Sequence, residues 1–220
     1  YRGRRFDCLV NAIGNSRGFW ANSNPLEDFE VSTVSVYRSV FDFRFGTYIY
    51  ISSSDVYLEH GDPSRAREDG PIDASRLSPY GFHKYLGEQI VRNATKQYLI
   101  LRSSMILGRN LKKGPIYDIL HKQPLFITLD SRLQLITTEE FANVISLLLG
   151  KGIVNDVFNV GGKGTLHFKN ANHYFGADLS VSDKAETQEY EMDVAKLERL
   201  YPLKASEEYL KDFLQTNHGK

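Results

Sequence analysis

The sequence predicts an α/β protein built on a doubly wound parallel sheet, with a smaller α/β lobe at its C-terminal end. Three observations carry this. Short apolar runs alternate with longer segments of helical spacing. The runs are apolar almost without a break, as in strands covered on both faces, not alternating as in a sheet with one wet face. The last third adds shorter strand-like and helical pieces, with no repeat, low-complexity tract or flexible linker to part them from the rest.

In chain order, Phe6 to Ile13 is an apolar run closed by Gly14-Asn15 and reads as a buried strand. Pro25 to Phe43 places Phe29, Val36 and Val40 at helical spacing behind an acidic start. Thr47 to Ser52 is the clearest strand. A loop rich in Asp, Gly, Pro and Arg runs from Val56 to Leu77. Ser78-Pro79 then opens a helix, Ser as N-cap and Pro at the first helical position, reaching about Lys96 with Phe82, Leu86 and Ile90 on one face. Tyr98 to Arg102 is a further strand. Beyond Gly108, a short helix from Pro115 to His121, a strand over Leu133 to Thr137, a helix over Glu139 to Leu149 and a strand over Val157 to Val160 are expected. Two helices, Met192 to Leu200 and Ser206 to Gln215, close the chain.

Composition narrows the function. Lys plus Arg and Asp plus Glu number 27 each, so no net field draws the chain to nucleic acid or to an anionic membrane. No apolar stretch approaches the roughly 20 residues that cross a bilayer. Cys8 is the only cysteine and sits in an apolar run, which excludes a disulfide framework within the chain and fits a cytoplasmic location. The six histidines form no metal-ligand spacing with Cys or carboxylates. The sequon at Asn93 falls on a predicted helix and is read as coincidental.

The chemistry concentrates at Tyr80-Gly81-Phe82-His83-Lys84. Four residues apart, the phenol and the amine share one helix face, and an ammonium beside a phenol is expected to pull its pKa down. Such a tyrosine exchanges a proton with a substrate hydroxyl or carbonyl while a cofactor moves the hydride. Upstream, Ser52-Ser53-Ser54-Asp55 lies at the C-terminal end of a predicted parallel strand, the edge where open α/β sheets bind ligands.

The runs ISSSDVY, SPYGFHK, LRSSMILG and VFNVGG follow one another in the order and approximate spacing of extended short-chain dehydrogenase/reductases, and FDCLVNAIG is similar to their fourth strand. This resemblance implies a Rossmann-like fold that uses NAD or NADP, with a nucleotide sugar as the small-molecule substrate. It implies Tyr80 as acid/base, Lys84 as the group that tunes it and holds the nicotinamide ribose, and Ser53 as the catalytic hydroxyl. Ser52 and Ser54 stand second to Ser53, one toward the cofactor and the other toward the substrate. Ala12, Gly14, Ser103 and Ser104 would line the cofactor, and Asn159 would lie on the substrate side. Relatives dimerise through the helices that correspond to Pro25 to Phe43 and Pro79 to Lys96, so a homodimer is expected. Residues 1–108 would be the remainder of the dinucleotide-binding domain and 109–220 a substrate lobe interleaved with its sheet.

Four departures qualify the resemblance. The family's opening strand and Gly-x-x-Gly-x-x-Gly turn are not in these 220 residues, and the chain starts at Tyr1-Arg2-Gly3-Arg4-Arg5 as if entered partway. Two βα units, roughly 60 residues, are expected ahead of it. Ser32 stands where relatives carry asparagine. Leu133 holds the place of a diphosphate-gripping arginine, with Arg132 one residue off and Lys112 and Lys113 as alternative charges. Asp55 supplies only one of the acids of a 4,6-dehydratase. An oxidoreductase or epimerase acting on a sugar is therefore the leading implication. A nucleotide-sugar 4,6-dehydratase using Asp55, and a non-catalytic cofactor-binding or scaffold protein, are the alternatives.

Overall fold

The computed structural model describes residues 4–15, 18–176 and 179–217; Tyr1 to Gly3, the start of the basic lead-in, lie outside the described residues. Strand β1 (Arg5–Asn11) is followed by helices α1 (Gly18–Ser23) and α2 (Pro25–Phe29), a π-helical segment (Glu30–Val34) and α3 (Ser35–Asp42). The predicted helix over Pro25 to Phe43 is thus one rod with a widened middle. Strand β2 (Arg44–Ser53) leads through the long loop to α4 (Pro79–Ala94), where Ser78 Oγ accepts from the Gly81 amide at 3.2 Å as the N-cap. Then come β3 (Tyr98–Ser103), β4 (Met105–Leu107), α5 (Pro115–Leu120), β5 (Leu125–Ile127), β6 (Arg132–Leu133), β7 (Leu135–Thr137), α6 (Thr138–Gly150) and β8 (Asp156–Val160). The chain ends through β9 (Leu166–His167), α7 (Asn172–Phe175), β10 (Val181–Glu186), β11 (Glu189–Tyr190), α8 (Ala195–Glu198) and α9 (Ser206–Asn217).

The main sheet has the order β1-β2-β3-β8, all parallel. Its two faces explain the unbroken apolar runs. Tyr48, Ile49 and Tyr50 are consecutive and all fully buried. Ile49, with Leu99, Leu101 and Phe158, packs toward Phe141, Val144 and Leu148 of α6. Tyr48 and Tyr50, with Ile100 and Val157, pack toward Val36 and Val40 of α3 and Val91 of α4. Successive side chains point to opposite faces, so burial on both faces demands apolar residues at every position. Among the described residues β1 has a strand on one side only, and Val10 and Ile13 near its end stay 47% and 56% exposed.

The smaller sheets pair β4 with β7, β5 with β10, and β6 with both β9 and β11. They enclose a second core of Ile116, Leu125, Leu135, Phe168 and Phe213. The strand predicted over Leu133 to Thr137 is split at Gln134, whose buried amide donates to the carbonyls of Gly162 and Met192. The closing helices are shorter or longer than the apolar pattern alone indicates: α8 covers only four residues, and α9 runs to Asn217. Strands β5, β10 and β11 escape the pattern because their residues alternate weakly or carry charge, as in VSDKAE.

Because the main strands are parallel, their C-terminal ends share one edge. Ser53 pairs with Ser103, which pairs with Val160, and the β1 end at Asn11 pairs with Tyr50. That edge carries Gly14, the Ser52-Ser53-Ser54 turn, Ser104 and Gly161.

Candidate active site

Helix α4 is set against the end of β2 by a close backbone approach. A side-chain carbon at Gly81 would collide with the Asp55 carbonyl, so glycine at that position lets the first turn of α4 sit on the Ser53-Asp55 turn. Its neighbour Tyr80 is thereby brought to the serine cluster, and its amide donates to Asn22 Oδ1 at 3.3 Å. The buried face of α4 is the polar one, with Tyr80, Lys84, Glu88 and Val91 inward, while Phe82 on the opposite side is 37% exposed.

Ser53 Oγ donates to Asp55 Oδ2 at 2.7 Å and accepts from the Asp55 amide at 3.2 Å. Asp55 Oδ1 accepts from Tyr190 OH at 3.2 Å. The Tyr80 phenol interacts with the Ser53 hydroxyl, which pulls its pKa down. Burial and the Asp55 charge outweigh that pull, and Tyr80 is held well above the ordinary phenol value. The sequence expectation that Lys84 lowers this pKa is corrected here. Lys84 Nζ donates to the Ile51 carbonyl at 2.9 Å and lies 5.1 Å from the centre of the Tyr50 ring, and burial and the Asp55 charge, not the amine, set the Tyr80 shift. Lys84 itself is lowered to about 8 by burial, partly offset by the charges of Asp28, Glu88 and Asp55.

Other predicted residues divide. Ala12 is exposed at the end of β1, and Gly14 has φ +141°, a conformation that favours glycine. A carbon there would lie 3.5 Å from both Lys84 Nζ and Ser32 Oγ, an ordinary contact that places Gly14 beside the amine. Ser104 Oγ is buried without a hydrogen-bond partner, beside Gly161, while Ser103 Oγ donates to the Ser104 carbonyl at 2.6 Å. Ser54 is buried at the start of the turn. The Ser52 hydroxyl, expected toward the cofactor, donates to Glu88 Oε1 at 2.6 Å. Asn159, expected on the substrate side, finds its side-chain partners within the protein. Fully buried, it accepts from Tyr57 OH at 2.8 Å and donates to the carbonyls of Ala66 and Asp193 at 2.9 and 2.8 Å, so its amide is consumed by the protein. Lys112 is exposed and Lys113 half-buried in the turn before α5, and Arg132 is exposed beside buried Leu133.

Several residues were not singled out by sequence. Arg102 and Glu88 form a buried bidentate pair at 3.0 and 2.8 Å, and Arg102 also donates to Tyr57 OH at 2.8 Å. Tyr190, stacked on His60 with ring centres 4.6 Å apart, reaches the site from the lobe. Glu88 lies four residues after Lys84, which was a readable signal. Tyr190 had none, since its approach depends on β11 pairing with β6. Among the described residues no group of three or more His, Cys, Asp or Glu could hold a metal, and no helix is long and apolar enough to cross a membrane.

Known proteins are similar to this chain in sequence or fold. Over 73 residues the chain is 36% identical to the spore coat polysaccharide biosynthesis protein SpsK of Bacillus subtilis (strain 168), a stretch that is 33% of this chain and only 25% of that protein. Solved structures of similar fold include dTDP-4-dehydrorhamnose reductase from Bacillus anthracis str. Ames in complex with NADP, with TM-score 0.77, 14% identity and coverage of 96% of this chain and 79% of that one. UDP-glucuronic acid 4-epimerase from Bacillus cereus in complex with UDP-glucuronic acid and NAD has TM-score 0.73, 19% identity and coverage of 96% and 76%. At these identities the likeness is one of fold. The model of the NAD dependent epimerase/dehydratase family matches residues 2–161, which hold β1, the Ser53 turn, the Tyr80–Lys84 helix and β8. With that match over most of its length, the chain belongs to the NAD dependent epimerase/dehydratase family.

Proposed function

We propose that the protein is an NAD(P)-dependent oxidoreductase or epimerase that acts on a hydroxyl or carbonyl of a nucleotide sugar, with Tyr80 as the acid/base. The observation that carries this is the convergence of Ser53, Tyr80 and Lys84 at the C-terminal edge of the sheet, with the phenol buried and kept protonated. The similar structures hold NAD or NADP, and one holds a nucleotide sugar, which supports the substrate class.

The residues fit the nicotinamide end of such a cofactor. The unpartnered Ser104 hydroxyl is a feature a ligand would explain, and Gly14 lies beside the Lys84 amine at the same edge. Gly14, Ala12 and Lys84 would hold it there, with Ser103 and Ser104 across the edge, and when bound it supplies hydride transfer. The chain's own part is proton management. Tyr80, held neutral by burial, is set to give its proton to a substrate carbonyl oxygen. The Ser53 hydroxyl, which donates to Asp55, also interacts with the Tyr80 phenol. Lys84 brings a positive charge to the same edge.

Replacing Tyr80 with Phe should lower turnover by about 10²–10⁴-fold while leaving NADH or NADPH affinity nearly unchanged. Turnover follows NAD(P)H absorbance with nucleotide 4-keto sugars, and affinity follows cofactor fluorescence. Unchanged turnover would sink the acid/base role, and no binding of either cofactor would favour the scaffold reading. The dehydratase reading stands second, because both Asp55 oxygens already accept hydrogen bonds, from Ser53 and Tyr190.

The protein is further proposed to be a homodimer through α3 and α4, on whose outer faces Phe29, Tyr37 and Phe41 just before and along α3 stand 38%, 52% and 66% exposed. Phe29 and Tyr37 line a groove together with Leu86 and Ile90. The division at residue 108 into a dinucleotide-binding part and a substrate lobe is part of the same reading.

A further inference from the structure

We propose that Tyr190, carried on β11, is a positioning residue for the Ser53 hydroxyl and acts through the Asp55 carboxylate, a role resting on the reading of Ser53 as the hydroxyl that works beside Tyr80. Three bonds tie these residues together. Tyr190 OH donates to Asp55 Oδ1 at 3.2 Å, Ser53 Oγ donates to Asp55 Oδ2 at 2.7 Å, and the Asp55 amide donates back to Ser53 Oγ at 3.2 Å. Each carboxylate oxygen therefore has a hydroxyl donor of its own. The last torsion of an aspartate is broad, so Ser53 by itself would leave the carboxylate free to turn. A second donor on the other oxygen fixes the plane of the group, and with it the direction in which the Ser53 proton points.

Tyr190 is itself held firmly. Its ring stacks on His60, with centres 4.6 Å apart and planes inclined by 22°. Its carbonyl accepts from the Gln134 amide at 2.9 Å, and the next amide, that of Glu191, donates to the His60 carbonyl at 2.7 Å. The Gln134 side chain in turn accepts from the Met192 amide at 3.2 Å and donates to the Met192 carbonyl at 3.1 Å. Tyr190 also stands opposite Leu133 in the pairing of β11 with β6. Burial first, and then the charge and hydrogen bond of Asp55, keep the phenol far above its ordinary value, so it remains a donor at every working pH.

Packing accounts for the ring but not for the hydroxyl. Stacking on His60 needs only an aromatic face, which phenylalanine would supply equally well. Taking a phenol O–H out of water costs free energy that a hydrogen bond offsets, and here the bond is made to the turn that carries Ser53. The consequence is a mechanical link across the molecule. When β11 lies beside β6, the carboxylate is pinned at both oxygens and the Ser53 proton has one direction. When β11 is displaced, one oxygen loses its donor and the serine loses that orientation.

Tyr190→Phe in the full chain keeps the ring and removes the donor. Amide hydrogen exchange, followed by NMR without cofactor or substrate, should show the Asp55 amide exchanging about fivefold faster, the worth of one ordinary hydrogen bond. The Glu191 amide, bonded to His60, should keep its rate, which separates lost orientation from a loosened β11. With NAD(P)H and nucleotide 4-keto sugars, kcat should fall on the order of tenfold at unchanged KM and cofactor affinity. Asp55→Asn offers a single acceptor oxygen for two donors, so adding Tyr190→Phe to it should slow turnover no further. If Tyr190→Phe fails to fold, Tyr190→Leu takes its place with the same expectations. An unchanged Asp55 exchange rate, an unchanged kcat in an active parent, or losses that add in the double variant would each overturn the proposal. A parent without turnover, or a Tyr80→Phe variant that matches the parent, is instead a failure of the catalytic reading. It removes the work assigned to Ser53 and leaves the exchange rates to decide alone whether Tyr190 orients that hydroxyl.

Discussion

Burial pushes Tyr80 up and Lys84 down, because each is driven toward its neutral form. The phenol stays protonated across the working range, while the amine loses its charge near pH 8. Lys84 is charged below that value and neutral above it, so carbonyl reduction with NAD(P)H should decline as pH rises through about 8. The profile of kcat/KM against pH checks this, and a flat profile to pH 9.5 would mean that the ammonium is not needed. The Ser53–Asp55–Tyr190 chain adds a contact between the two halves of the molecule at the scale of single atoms. Of these residues, Ser53, Tyr80, Lys84 and Asp55 were legible in the sequence, because their spacing on a strand end and a helix face is local. Tyr190 was not, since it meets the site only through a distant element.

At the scale of elements, α4 does two jobs on two faces. Its inner face carries Tyr80, Lys84 and Glu88 against β2 and β3, and its outer face carries Phe82, Leu86 and Ile90. An amphipathic reading alone would bury the second face, yet it is the polar face that is buried. The buried polar groups are tolerated because Glu88 is satisfied by Arg102 and Ser52, and Lys84 by the Ile51 carbonyl. Leu86 and Ile90 line a groove with Phe29 and Tyr37, the surface proposed for the homodimer. Light scattering at micromolar concentration should give twice the chain mass, and Ile90→Arg should shift it to the mass of one chain. A parent protein that is already monomeric would refute the homodimer.

For the whole molecule, the tyrosines set the response to alkali. Tyr48, Tyr50, Tyr57, Tyr80, Tyr190 and Tyr209 are all raised above the ordinary value of 10.0, chiefly by burial. A raised folded-state pKa contributes stability that is present below the unfolded value and lost as pH rises above it. Lys84, depressed instead, runs the other way between about 8 and 10.5. Stability to urea should therefore hold to about pH 10 and fall beyond it, with tyrosinate absorbance appearing together with unfolding. Tyrosinate appearing before unfolding would contradict burial of these rings. The sequence by itself determined the parallel sheet, the α4 cap at Ser78 and the Ser53–Tyr80–Lys84 trio, because strand burial, capping and side-chain spacing are written in neighbouring residues. Only the tertiary structure decided that Lys84 Nζ reaches the Ile51 carbonyl, that the Ser52 hydroxyl and the Asn159 amide find partners within the protein, and that Tyr190 meets Asp55. Those outcomes depend on which elements lie side by side, and in a doubly wound fold that is set by long-range strand order and by where buried polar groups find partners.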